Sequence, residues 1–430
     1  MAEVPFLVVL AGGVSSRMWP VREKSLLRFG PDPLLVSQLR RMQKLGFTDV
    51  IIVANPENQA TITDVVSGIS GLNIRVVVQD EARGMGDALL RTQPFVPASR
   101  SLYVTQVHDI VDDDLHRDML HTWRNNPSIT YIAGARREDY FPGGYLVVDA
   151  NDRITGLIEK PGADRRPSDL VNIVAHIHAE AGRLFEAIHA EYARSETPDD
   201  HYERAMSALM GSHVFRVVPY HGVWKALKYP WHVLDVMDHY LSHIQGQTIA
   251  PGVFIADTAR ITGNVVIEEG VKIFPGAAVV GPAYIGAGTI VGNNALVRGS
   301  MVLDRCEVGF TTEIARSYVA DHVGMHACRV LDSVFMPNVN FSAGCTTANL
   351  RIDKGVVSST IKGERVRTER DKLGAIIGQG AFLSVDVMTM PGVKIGAGAQ
   401  VGPGTHVHQD IRDGQRVYVK QVYHIVEPGE

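Results

Sequence analysis

From Ile249 onward the chain repeats itself every six residues. Ile249, Ile255, Ile261, Ile267, Ile273, Val279, Ile285, Val291, Val297 and Leu303 are aliphatic without a miss. Ile377, Leu383, Thr389, Ile395, Val401 and Val407 resume the register with only Thr389 off type. A period of six fits neither the 3.6 of an amphipathic helix nor the simple alternation of a half-buried strand. It fits a chain that turns three times per coil, each flat side giving one aliphatic residue to the interior, and so predicts a parallel β-helix of stacked coils. Small residues such as Gly263, Gly281, Gly286 and Gly292 lie between the aliphatics, and Asn349–Leu373 interrupts the register with a polar, basic insertion.

The first half follows a different rule. Short apolar runs at Pro5–Leu10, Asp49–Ala54, Ile74–Val78, Leu102–Val107 and Ile129–Ala135 alternate with longer mixed segments, which predicts a doubly wound α/β sheet. At 430 residues the chain exceeds one ordinary core. The pattern divides it into an α/β domain over 1–228, a connector helix within 229–248 and a β-helix over 249–430.

Composition limits the partners. A net charge of −5 gives no basic footprint for nucleic acid. No apolar run approaches the roughly 20 residues that span a bilayer. Cys306, Cys328 and Cys345 lack paired metal-ligand spacing and read as small buried thiols of a cytoplasmic protein.

Chemistry gathers where strands end. After the first apolar run come Leu10, Ala11, Gly12, Gly13, Val14, Ser15, Ser16 and Arg17, closed by Lys24. Two glycines let backbone N–H groups approach a phosphate, and Arg17 and Lys24 add positive charge; the bland alternative is a β-to-α turn with surface charges. Gln79, Gly84 and Gly86 follow another strand end, where Gln79 alone also reads as a solvated loop residue. The strand from Leu102 delivers Asp109, either an oxygen ligand for hard Mg²⁺ or the N-cap of a helix over Asp112–Trp123.

The stretch from Leu10 to Pro20 resembles the signature loop of the sugar-1-phosphate nucleotidyltransferases, L-A-[AG]-G-x-[GS]-[ST]-R-[ML]-x-P followed by a lysine. The resemblance implies nucleotide binding by Leu10, Ala11, Gly12, Gly13, Gln79, Gly84 and Gly86. It implies Arg17 and Lys24 as catalytic cations and Mg²⁺ on Asp109. Gly144, Glu159, Lys160 and Asn172 fall in the order of the family's sugar-binding positions. Met85 stands where the uridylyltransferases carry threonine, and His108 replaces a glycine. Ala226 occupies the place of the second metal-binding aspartate, and an alanine cannot ligate Mg²⁺.

The second half resembles the acetyltransferase domain of bifunctional UDP-N-acetylglucosamine pyrophosphorylases, the archaeal-type form above all. The matching runs are Met325-His326, Val339–Cys345, Ala348–Asp353, Lys362-Gly363 and Lys372–Ala375. This implies the left-handed form of β-helix, acetyl-CoA as cosubstrate and a homotrimer or higher oligomer. It implies His326 as the base that deprotonates an aminosugar amine, a task suited to imidazole. Arg298, Asn349 and Lys362 would hold the acceptor. Ala315 and Arg329 replace a phosphate-binding lysine and a substrate tyrosine. The activity expected is transfer from a nucleoside triphosphate, UTP foremost, to a sugar 1-phosphate such as N-acetylglucosamine 1-phosphate or glucose 1-phosphate, joined to acetylation of an aminosugar phosphate. The alternatives are a monofunctional uridylyl- or guanylyltransferase on a scaffold β-helix, and a lapsed sensor of nucleotide sugars.

Overall fold

The computed structural model describes residues 4–13, 15–195 and 200–426. The chain divides into two compact units: Met1–Val14, Ser25–Leu27 and Asp32–Ala226 form the first, and Ser15–Lys24, Arg28–Pro31 and Leu227–Glu430 the second.

In the first unit β1 (Phe6–Leu10), β2 (Asp49–Ala54), β3 (Asn73–Val78), β4 (Leu102–Gln106), β5 (Asp109–Val111) and β6 (Thr130–Arg136) fall on the apolar runs or directly after them. Then come β7 (Gly144–Val148), β8 (Ile154–Glu159), β9 (Leu170–His178), β10 (Phe215–Tyr220) and β11 (Trp224–Ala226). The main sheet has the order β10-β6-β9-β4-β1-β2-β3. Val8, Val9, Ile51, Ile52 and Val104 are fully buried, as helix-covered parallel strands require. The sheet is mixed rather than all parallel: β9 runs antiparallel to β4 and β6. Between β6 and β9 the chain builds the β7–β8 hairpin and a single 3₁₀ turn, Ala163–Arg165, but no α-helix, so it has no helical crossover by which to return parallel. The helices that matter below are α1 (Leu34–Lys44), α2 (Gln59–Ser67), α3 (Gly84–Leu90), α4 (Asp113–Asn125), α5 (Ala181–Arg194) and α6 (His201–Met210).

The second unit contains α7 (His232–Ser242), the helical part of the segment expected around Tyr229–Gln245. It is followed by three parallel sheets of eight, nine and eight strands, the three sides of a left-handed β-helix. Val265 pairs with Ala283, eighteen residues on, which is three sixes. Ile267, Ile273, Val279, Ile285, Val291 and Val297 point inward with at most 1% exposure.

The period then shortens, contrary to the unbroken register of six expected through Leu303. Ile285 stacks on Val302, not on Leu303, because this coil and the next are seventeen residues long and the following one sixteen. The corner before each of Met301, Tyr318 and Val334 is one residue short, and serines fill the gap; the sixteen-residue coil loses its further residue between Met325 and Val330. The Oγ atoms of Ser300, Ser317 and Ser333 each donate to the carbonyl two residues back. Each also accepts an amide of the next coil: Ser317 N at 3.0 Å, Ser333 N at 3.0 Å and Ala375 N at 3.0 Å. Leu303 is buried nonetheless, in the turn. The insertion ejects a hairpin, Ser358–Ile361 with Glu364–Arg367, closed by Lys362 and Gly363 at φ 51° and 89°, as a two-residue type I′ turn requires. No helix among the described residues is long and apolar enough to cross a membrane.

Candidate active site

β1 ends at Leu10, and the glycine pair leaves the carboxyl edge of the sheet. A Cβ on Gly12 would lie 2.9 Å from the Ala54 carbonyl oxygen, so only glycine passes there. Gly13 opens onto clear space and is exposed. Asn58 and Asn55 at the start of α2 fix the turn, donating to the carbonyls of Ala11 at 3.0 Å and Gly12 at 3.3 Å.

Gln79 is buried, and its Nε2 donates to the Gly84 carbonyl at 2.9 Å and to Asp87 at 3.1 Å. Gly84 takes φ 85° at the head of α3. Gly86 faces protein: Tyr192, His201 and Ile188 lie 3.2–3.3 Å from where its Cβ would stand, so helix packing already accounts for the missing side chain.

Asp109 opens β5 and is not a helix cap; Asp112 precedes α4 instead. Its Oδ1 accepts the Trp224 indole N–H at 3.0 Å. β5 pairs antiparallel with β11, and the residue directly opposite Asp109 is Ala226. The position where the resembling pattern has a second acid therefore faces the first across one strand pair, within reach of a shared ion.

A third group lies on β7, β8 and β9. Gly144 pairs with Glu159, and a Cβ on Gly144 would stand 3.1 Å from Glu159 Oε2 and 3.5 Å from Asn172 Nδ2. Lys160 contacts the other Glu159 oxygen at 3.0 Å. The bare α-carbon thus looks onto a carboxylate and an amide nitrogen, a pairing suited to sugar hydroxyls. Glu203 on α6 is buried beside this group with Oε2 unpartnered; burial first, then the charge of Glu159, raises it to about 8.

Arg17 and Lys24 belong to the second unit together with the rest of Ser15–Lys24. That segment is seated on the β-helix. Trp19 Nε1 donates to Asp413 at 2.9 Å, Arg22 pairs with Asp413 at 2.6 Å, and Lys394 stands 4.7 Å over the indole. Next to it, Arg28 bridges Asp304 at 2.9 Å and Asp321 at 3.0 Å, while Phe29 stacks on Tyr240 of α7. Sequence reading missed these anchors, since nothing local pairs residue 19 with residue 413.

On the β-helix, Arg298 pairs with Glu313 at 2.9 Å. Arg316 grips buried Asp332 with two bonds of 2.7 Å, and Asn349 donates to the same carboxylate. Ala315 is fully buried. His326 is exposed in the turn before Arg329–Leu331, while Asp332 lies in the turn after that strand. Among the described residues no hydrogen bond joins the His326 ring to Arg298, Asn349 or Lys362. Lys362 is exposed at the tip of the hairpin.

Comparison with known proteins matches residues 7–215 to the nucleotidyl transferase family and 264–299 to the bacterial transferase hexapeptide family. A bifunctional sugar-1-phosphate nucleotidylyltransferase/acetyltransferase of Sulfurisphaera tokodaii is 29% identical over 95% of this chain and 98% of its own length. The bifunctional protein GlmU of Methanococcus maripaludis is 29% identical over 96% of this chain and 97% of its own length. The chain is thus a transferase similar over nearly its whole length to bifunctional nucleotidyltransferase/acetyltransferases. A further likeness, 35% identity over 168 residues, is to an uncharacterized acetyltransferase, YaiX, of Escherichia coli, covering 39% of this chain and 72% of that protein. These likenesses give Ala226 and Ala315 their interest as departures from the resembling patterns.

Proposed function

We propose that the domain over 1–228 joins a nucleoside triphosphate, UTP foremost, to a sugar 1-phosphate and releases pyrophosphate. A phosphate oxygen of the sugar attacks the α-phosphorus in line; the bond from that phosphorus to the bridging oxygen breaks, and pyrophosphate leaves. Leu10, Ala11, Gly12 and Gly13 supply backbone against the phosphates, with Gln79 and Gly84 toward the base. Arg17 and Lys24 stabilise charge that grows on the transferring phosphoryl group. Gly144, Glu159, Lys160 and Asn172 take the sugar. The observation that carries this reading is the convergence of Glu159 Oε2 and Asn172 Nδ2 on the bare α-carbon of Gly144.

Magnesium fits a single half-buried carboxylate at a strand end, because it keeps several waters and binds through one or two carboxylates plus substrate phosphates. Asp109 would be its protein anchor, and the ion would supply charge neutralisation of the phosphates. Incubation with each of four nucleoside triphosphates, a panel of sugar 1-phosphates and Mg²⁺, followed by pyrophosphate assay, tests the reading.

The β-helix over 249–430, reached through the connector 229–248, transfers acetyl from acetyl-CoA to an aminosugar phosphate in this proposal. His326 is the base, and Arg298, Asn349 and Lys362 contact the acceptor. A second reading, a β-helix that serves as scaffold, is favoured by buried Ala315 in place of a lysine and by the engagement of Arg298 with Glu313. Thiol release from acetyl-CoA separates the two. Stacked coils suit a homotrimer, and three free, buried cysteines suit a reducing cytoplasm.

A further inference from the structure

β9 carries two histidines in a nine-residue strand that is buried throughout. His176 and His178 are both buried, and the hydroxyl of Tyr202, on α6, lies 2.8 Å from His176 Nδ1 and 2.7 Å from His178 Nε2. The other ring nitrogen of His176, Nε2, stands 2.6 Å from Asn172 Oδ1. Residues four apart in an unbroken strand are about 13 Å apart along it, out of side-chain contact. Here the β6–β9 register shifts, so that Ile132 faces His176 while the next residue, Ala133, faces Ile173, and the bulge folds the imidazole back toward Asn172.

The bonds order themselves. A carbonyl oxygen only accepts, so His176 Nε2 carries the proton it gives to Asn172. Burial lowers the His176 titration to about 3 and that of His178 well below its ordinary value, so both rings are neutral. A neutral ring with Nε2–H accepts at Nδ1, and takes the Tyr202 O–H. The tyrosine oxygen in turn accepts the Nε2–H of His178. The chain His178 to Tyr202 to His176 to Asn172 Oδ1 leaves Asn172 Nδ2 turned toward Gly144 and Glu159.

We propose that His176, locked by Tyr202 and His178, is a positioning residue that fixes the Asn172 amide so that its NH₂, not its oxygen, meets a hydroxyl of the sugar 1-phosphate. This rests on the assignment of Gly144, Glu159 and Asn172 to the sugar. Selectivity follows from it: an NH₂ beside the Glu159 carboxylate offers one donor and one acceptor to neighbouring hydroxyls. An amide released from His176 is free to turn its oxygen to the sugar, and in that orientation the bond to the hydroxyl is lost.

The test uses the full chain with UTP, Mg²⁺ and either glucose 1-phosphate or N-acetylglucosamine 1-phosphate, whichever wild type turns over faster. His176→Leu is expected to raise KM for the sugar phosphate about tenfold, the loss of one well-aimed bond, with kcat and the KM for UTP unchanged within about twofold. His176→Gln, which keeps a donor near Nε2, is expected to restore most of the difference. Tyr202→Phe, which removes only the hydroxyl, keeps the test open if His176→Leu fails to fold and should also raise the sugar KM. Spectra of ¹⁵N-labelled histidine should show His176 as the Nε2–H tautomer. An Nδ1–H tautomer, or unchanged sugar KM in folded His176→Leu or Tyr202→Phe while Asn172→Ala raises it, overturns the positioning role. If Asn172→Ala itself leaves the sugar KM unchanged, the sugar-site assignment falls, and the proposal with it.

Discussion

The indole N–H of Trp19 donates to Asp413 at 2.9 Å, joining residues 394 apart in sequence. Trp19 stands between Arg17 and Lys24, the cations proposed to act on the nucleotide. Within the second unit that segment is thus tied to the turn at Asp413.

Asp413→Ala is expected to weaken nucleoside triphosphate binding while leaving stability nearly intact. Its partner Arg22 is 64% exposed and Asp413 38%, and exposed ion pairs contribute little to folding. An ordering cost of about 1 kcal/mol shifted onto binding corresponds to about fivefold in KM. Steady-state kinetics beside a melting curve checks this; a large fall in melting temperature with unchanged KM would contradict it.

Asp109→Ala is expected to abolish metal-dependent pyrophosphate release with little loss of stability. Ala226→Asp places a second carboxylate directly across the strand pair and should tighten the Mg²⁺ requirement. Activity measured against Mg²⁺ concentration checks both, and a profile insensitive to either change removes the pair from the site.

Acid should loosen the first unit. His116 and His176 are lowered to about 3 and His178 well below 6.5, in each case by burial first. They stay neutral when folded, whereas the unfolded chain takes protons as pH falls below about 6.5. Stability is thus full above pH 6.5 and declines toward pH 3, at about 1.4 kcal/mol per pH unit for each histidine. Melting between pH 7.5 and 5 should show the slope, and His116→Gln should reduce it; an unchanged slope contradicts the assignment.

Glu203 has the opposite sign. Raised to about 8, it is protonated in the fold but ionised in the unfolded chain above about 4.5, so it weakens folding as pH rises from about 4.5 to 8. Glu203→Gln is expected to raise the melting temperature at pH 8 and to do little at pH 4.5.

Much of this was legible in the sequence for a physical reason. A buried stack admits one aliphatic per side, so the β-helix writes its period of six directly into the chain, and buried strands write apolar runs. The shift from Leu303 to Val302 was not legible, because a corner shortened by one residue is repaired by a serine hydroxyl that no hydrophobic pattern records. The bulge that joins Asn172 to His176 was equally hidden. A signal did exist, two histidines alternating within the buried apolar run of β9, but its partner Tyr202 lies on another element. The anchors of Trp19 and Arg28 depend on residues about 300 to 400 positions away, beyond any local rule.

His326→Ala is expected to cost roughly 10²–10⁴-fold in acetyl transfer to an aminosugar phosphate, the usual contribution of a general base. Pyrophosphate release from N-acetylglucosamine 1-phosphate should be untouched. An equal loss in both activities, or none in either, would contradict a separate acetylation site.

The central claim is that one chain carries both transfers. Purified full-length protein, given UTP, Mg²⁺, acetyl-CoA and glucosamine 1-phosphate, should release free thiol and pyrophosphate in one tube; Asp109→Ala should lose pyrophosphate alone, while His326→Ala should lose both and regain pyrophosphate release when N-acetylglucosamine 1-phosphate is supplied. Release of pyrophosphate from a panel of sugar 1-phosphates with no thiol from any aminosugar phosphate would leave the β-helix as a scaffold. Release of neither would contradict the account.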